Sequence, residues 1–358
     1  MSSFYCKTPL MRRVFASQNV RCAASPEIMV KYEFFQPSGS FKSRGIGNLI
    51  YKEMQRIRQK GSQQPHVFAS SGGNAGLAAA TASQQLGLPC TVVVPETTRR
   101  RMVERIRSTG AEVISRGRVL QESDDYLRSE LMKNVDVEKV APIYAHPFDN
   151  PLIWEGHATM VDEMVESLHL QDVPLERVKG IVCSVGGGGL YNGIVHGLEK
   201  HGLAESIPVV AVETDGCEVL HRSLQLGRNV SMNPKSVATS LCTSFVTELT
   251  LRYAQKYRTK SVVLEQLDVV ETCLKFAEES NIVTEPACGA ALHLGYHPEI
   301  LERELGALTS QDVVIVIACG GSTMNLSDLK ECKEDLQPKM EEVQTPFTTH
   351  QQPIILIS

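Results

Sequence analysis

The sequence predicts an α/β fold built on parallel sheets, and three observations predict it. Short β-branched apolar runs recur along the chain, helix-period segments lie between them, and glycine-rich turns follow two of the runs directly. The runs are residues 67–70, 90–95, 181–185, 209–213 and 313–318; they are mostly apolar, as strands buried on both faces are. Residues 45–59 place Ile46, Leu49, Ile50, Met54 and Ile57 near one face of a helix, and residues 102–107 form a shorter helical stretch. In such folds ligands gather at the carboxyl ends of the strands.

The length, 358 residues, suggests about two domains at roughly 150 residues each. Hydrophobic residues make up 42% and charged residues 22%, enough to bury a core without crosslinks or metals. The net charge of -5 gives no positive field for nucleic acid or anionic lipid, so a small-molecule ligand is expected. No apolar stretch approaches the roughly 20 residues that span a bilayer, so no membrane partner is expected. The ten cysteines are scattered without a C-x-x-C pair and read as reduced thiols of an intracellular protein. Residues 1–26 carry Lys7, Arg12, Arg13 and Arg21, several serines and no acid, a composition like that of a mitochondrial transit peptide. The cytoplasm is nevertheless the expected location, with the mitochondrial matrix as the alternative.

Two turns and one lysine carry the chemistry. After the run at 181–185 come Gly186, Gly187, Gly188, Gly189 and Leu190. Four glycines let consecutive N–H groups point inward where a helix begins, which makes a phosphate cradle. The sixth position is Tyr191, so the G-x-G-x-x-G spacing of a dinucleotide site is absent, and mononucleotides or phosphorylated cofactors remain. After the run at 67–70 come Ser71, Gly72, Gly73, Asn74, Ala75 and Gly76, which suit a bound carboxylate or serve only as a helix cap. Lys42, within Ser40-Phe41-Lys42 ahead of a helix, is either a solvated surface lysine or a Schiff-base lysine.

Together, residues 37–45, 70–76, 186–190 and Cys319-Gly320-Gly321-Ser322 resemble the fold type II pyridoxal phosphate enzymes, and more narrowly the catabolic L-serine/L-threonine dehydratases. Residues 147–157 and Glu285-Pro286-Ala287-Cys288-Gly289-Ala290 add to the likeness, which covers about residues 5–330. The resemblance implies two domains, each an open, mostly parallel twisted sheet flanked by helices. Residues 1–44 with 146–330 would form the large cofactor-binding domain, 45–145 the small α/β domain, and 331–358 a tail too short for a regulatory domain.

It also implies roles. Lys42 would hold pyridoxal 5'-phosphate and later take the substrate's Cα proton. Phe41 would lie against the pyridine ring and Asn74 would bond its hydroxyl oxygen. Gly186, Gly187, Gly188, Gly189 and Leu190 would bind the phosphate, and Ser71, Gly72 and Asn74 the substrate carboxylate. Cys319 would meet the pyridine nitrogen, where a neutral thiol makes the ring a weaker electron sink than a carboxylate would and favours prompt loss of a β-substituent. No His or Glu of the matched motifs is expected to protonate the departing hydroxide, a task the resemblance gives to the cofactor phosphate. Glu213, with backbone carbonyls of Cys217, Leu241 and Thr243, would hold a monovalent cation such as potassium. His157 and Trp154 are assigned no chemistry.

The implied activity is β-elimination: L-serine to pyruvate, L-threonine to 2-oxobutyrate, with release of ammonia. A homodimer fits the family. Gly72 stands where racemases of this fold place a serine, which argues against racemisation and leaves open room beside the substrate for either amino acid. The runner-up is β-replacement of the cysteine-synthase type, whose members carry Ser or Thr at the position of Cys319. A non-catalytic amino-acid-binding protein is the remaining alternative, opposed by the intact Lys42 and glycine loop.

Overall fold

The computed structural model describes residues 4–16 and 25–343, with side chains described through residue 337. The targeting reading of residues 1–26 therefore falls partly outside the described residues, as does much of the proposed tail. Two separate sheets organise the chain. The larger has six strands: β1 (Leu10–Arg12), β2 (Glu27–Tyr32), β7 (Val178–Ser184), β8 (Val209–Thr214), β9 (Thr259–Leu264) and β10 (Val313–Ala318). Their spatial order is β1-β2-β10-β7-β8-β9, parallel except for the edge strand β1, which runs antiparallel to β2. The smaller sheet holds β3 (Gln64–Ala69), β4 (Cys90–Val94), β5 (Glu112–Ser115) and β6 (Val140–Tyr144), all parallel, in the order β5-β4-β3-β6. Helices flank both, as the α/β pattern requires.

All five apolar runs read from the sequence fall on strands, and β4, β8 and β10 are buried at every position. The two sheets have distinct cores. Val182, Val210, Val212, Ile315 and Ile317 belong to one, and Ile46, Leu49, Ile50, Val67, Val92 and Val94 to the other. The helix Lys42–Lys60 belongs mostly to the second, through the face predicted for it. It also packs along the helix Pro151–Leu170.

That border position places the site. β10 lies centrally in the large sheet, and the segment just before the helix Lys42–Lys60 is stitched to its carboxyl end. Phe41 N–H donates to Cys319 O at 3.0 Å, Gly321 N–H donates to Gly39 O at 2.9 Å, and Ser40 pairs with Gly320. Gly39 and Gly320 adopt φ of 80° and 82°, the left-handed region that glycine enters without penalty, so this close approach depends on them. Among the described residues no helix is long and apolar enough to cross a membrane.

Candidate active site

A cavity of about 390 Å³ opens between the carboxyl ends of the two sheets. Phe41, Lys42, Ser71, Gly72, Asn74, the run Gly186 to Leu190 and Cys319 all line it, so the structure gathers motifs that are up to 278 residues apart in the sequence, from 41 to 319. Leu241 and Thr243 also line it, whereas Glu213 and Cys217 do not.

Lys42 opens the helix Lys42–Lys60, and its Nζ donates to the carbonyl of Pro147 at 2.5 Å while standing 5.2 Å from the centre of the Phe41 ring. Burial pushes the amine down to about 8, against the opposing pull of Cys319 and Glu285. Two residues on, Arg44 anchors this first turn. Its guanidinium donates to Glu33 at 2.7 and 2.8 Å and to Glu163 at 2.7 Å twice, and it reaches Thr159 and Thr8. Lys31 Nζ donates to Glu163 at 2.6 Å, and Arg44, Lys31 and Glu33 are all fully buried. An ionic cluster so far from water is stable only while every charge keeps its partners.

The four glycines after β7 are required by what surrounds them. Gly188 caps the helix Gly189–Lys200 with φ 92°, and a Cβ built there would overlap Thr250 Oγ1. A Cβ on Gly187 would overlap the Phe148 ring, one on Gly186 would lie 3.0 Å from Leu241 Cα, and one on Gly189 3.0 Å from Phe148 Cβ. The helix begins at Gly189, on the cavity wall, and its first N–H groups have no acceptor within the helix.

Asn74 starts the helix Asn74–Leu86, and both ends of its amide are hydrogen-bonded. Its Oδ1 accepts from Ser322 N–H at 2.9 Å; its Nδ2 donates to Glu285 Oε1 at 2.8 Å and to Ser240 Oγ at 3.2 Å. Glu285 in turn accepts from Thr323 through Oγ1 at 2.6 Å and N–H at 3.2 Å. Both oxygens of Glu285 are thus engaged, one by Asn74 and the other by Thr323. The matched motifs therefore do put a glutamate in the cavity wall, as a holder of Asn74. The signal was Glu285 heading its own motif.

Cys319 Sγ lies 3.6 Å from Ser184 Oγ and is buried. His157 lies behind Phe41, ring centres 4.8 Å apart, and burial pushes its imidazole well below the ordinary value, so it stays neutral. Trp154 Nε1 donates to Phe148 O at 2.8 Å, which holds the residue covering Gly187 and Gly189. The open room read at Gly72 is not open: the side chain of Thr98, which sequence reasoning did not single out, fills it.

Glu213 is fully buried, and its two oxygens accept from Leu220 N–H and His221 N–H at 2.8 Å each. Among the described residues it pairs with no cationic side chain, and burial pushes the carboxyl up to about 8.

A family model described as "Pyridoxal-phosphate dependent enzyme" matches residues 1–320. The chain belongs to this family. Among its relatives, the catabolic L-serine/threonine dehydratase of Saccharomyces cerevisiae is 55% identical, over 95% of this chain and 93% of that one. The human L-serine dehydratase/L-threonine deaminase is 39% identical, over 93% and 95%. The crystal structure of a fungal L-serine ammonia-lyase from Rhizomucor miehei superposes with a TM-score of 0.81 at 31% identity, covering 93% of this chain and 99% of that one.

Pyridoxal phosphate, the family cofactor, fits this cavity. It needs a primary amine, an anion cradle and a slot for a flat ring. Lys42 offers an amine that sheds its proton easily. The turn Gly186 to Gly189 lines the cavity with backbone alone and has no room for side chains of its own, and Phe41 and Cys319 line the same cavity.

Proposed function

We propose that the protein catalyses the dehydration and deamination of L-serine to pyruvate and of L-threonine to 2-oxobutyrate, releasing ammonia. One observation carries the reading: Lys42, the Ser71–Asn74 loop, the Gly186–Gly189 cradle and Cys319 meet in a single cavity. When bound, the cofactor supplies an electron sink that lets the Cα–H bond break and the β-substituent leave.

The residues supply the rest. Gly186 to Gly189 and Leu190 hold the phosphate by backbone N–H groups, and Phe41 and Asn74 orient the ring. Ser71, Gly72 and Asn74 face the amino-acid carboxylate at the start of the helix Asn74–Leu86, whose positive end favours an anion. Lys42 Nζ, neutral above about pH 8, takes the Cα proton as general base. A sulfur at Cys319, in place of a carboxylate, is a weaker holder of a proton on the ring nitrogen, which suits elimination over long-lived carbanion chemistry.

The test is direct. Purified protein shows a visible cofactor band and releases 2-oxo acid from L-serine and L-threonine, and Lys42→Ala loses both. A band that persists in Lys42→Ala, or sulfide incorporation without pyruvate from serine, overturns the reading.

We further propose a monovalent cation, potassium in the first instance, beside Glu213 and the carbonyls of Cys217, Leu241 and Thr243. A buried carboxyl without a cationic side-chain partner among the described residues supports it, and a melting temperature that responds to potassium over lithium only while Glu213 is intact tests it. The division into residues 1–44 with 146–330 and residues 45–145 is likewise proposed, supported by the two separate sheets. A homodimer, testable by sedimentation, and a cytoplasmic location, with the mitochondrial matrix as alternative and tagged-protein microscopy as the check, complete the proposal.

A further inference from the structure

Gly72 belongs to the loop proposed above to receive the substrate carboxylate, yet the space its missing side chain leaves is already taken. A Cβ built on Gly72 would overlap Thr98 Oγ1 and lie 2.5 Å from Thr98 Cγ2 and 2.9 Å from Thr98 Cβ. The crowding is particular to this residue, because a Cβ on the adjacent Gly73 would meet only Thr323 Cγ2 at 3.7 Å and Ser71 Oγ at 3.8 Å. Thr98 arrives from a different loop, after β4, fixed by its N–H on the carbonyl of Pro95 at 2.9 Å. It is half-buried, lines the cavity, and among the described residues its hydroxyl makes no hydrogen bond. A β-branched side chain on an anchored backbone keeps few rotamers, so this wall is stiff.

We propose that Thr98 is a specificity-determining residue: its side chain occupies the volume beside Gly72 and thereby sets how much room remains for the substrate's β-carbon. The inference rests on the dehydratase reading and deepens it. L-Threonine differs from L-serine by one methyl on that β-carbon, and one methyl in a tight pocket changes discrimination by about 10- to 200-fold. Room for the methyl is therefore governed from the β4 loop, whose Thr98 packs directly against Gly72.

Two measurements test this. In the first, kcat/KM for L-threonine relative to L-serine is compared among wild type, Thr98→Ala and Thr98→Val. Thr98→Ala is expected to shift the ratio about tenfold or more towards threonine. Thr98→Val, which keeps the shape and drops the hydroxyl, is expected to stay within about twofold of wild type. A Thr98→Ala ratio unchanged, or a Thr98→Val ratio shifted as far as Thr98→Ala, overturns the proposal.

The second measurement uses the cofactor-free protein and no activity. Gly72→Ala is expected to lower the melting temperature, and Gly72→Ala/Thr98→Ala to recover it, since the second change removes the atoms the new methyl meets. A double variant no more stable than the sum of the single changes overturns the contact. Should wild type release no 2-oxo acid from either substrate, the dehydratase reading fails, while these melting temperatures still decide whether Thr98 owns the space at Gly72.

Discussion

The amine of Lys42 should capture pyridoxal phosphate far faster at neutral pH than an exposed lysine would. Only the neutral amine is a nucleophile, and burial lowers the Lys42 value to about 8. At pH 7 about one such amine in eleven is neutral, against about one in 2,500 for a free lysine near 10.4, an advantage of about 200-fold. The sign follows from the charge: burial penalises the ammonium, so the neutral form takes over at lower pH. Uptake by the cofactor-free protein, followed by its visible absorbance, should rise about tenfold per pH unit up to about 8 and then level, with Nα-acetyllysine as the reference amine. Glu285→Gln removes a negative neighbour that supports the ammonium, and should move the inflection lower still. An inflection that stays near 10.4, or one that moves upward in Glu285→Gln, refutes the reasoning.

Three further outcomes are expected. Glu285→Gln turns one of the two oxygens facing Asn74 and Thr323 into a donor, and should lower kcat/KM for serine about 10- to 100-fold without unfolding the protein, as steady-state kinetics and circular dichroism would show. Arg44→Met strands Glu33 and Glu163 in the interior and should cost about 3–5 kcal/mol in urea unfolding. Burial would raise the Glu163 carboxyl, but the hydrogen bonds from Arg44 and Lys31 outweigh it and hold it below its ordinary value. Its stabilisation is thus present above the ordinary carboxylate range and lost as pH falls through the folded value, so the variant should show a shallower acid dependence. Gly188→Ala forces a methyl into φ 92° against Thr250 Oγ1 and should weaken cofactor retention at least about tenfold in equilibrium dialysis, with partial recovery in Gly188→Ala/Thr250→Ala.

What the sequence disclosed, and what it did not, follows from the reach of each interaction. The five strands read in advance are continuous apolar runs, a signal carried within four to six residues. β6 was missed because Pro142 interrupts it, and β9 because it opens on Thr259, Lys260 and Ser261. β2 was hidden by Lys31, a buried charge received by Glu163, 132 residues away, and by the carbonyl of Thr8. The site shows the same division. Glycines needed for a cradle cluster in one turn and are legible there. Glu285 acts on Asn74 from 211 residues away, and Thr98 reaches Gly72 from another loop, so neither role has a local signature.

The division of the cavity between two sheets also bears on how the protein folds. Ser71 to Asn74 come from the smaller sheet, Gly186 to Leu190 and Cys319 from the larger, and the helix that opens with Lys42 is shared between them. Neither half holds a complete set of contacts for the cofactor. Binding competence should therefore appear only at the last stage of refolding, after each sheet has formed and the halves have docked. The cofactor, bound by the native state alone, then draws that final equilibrium towards completion by mass action.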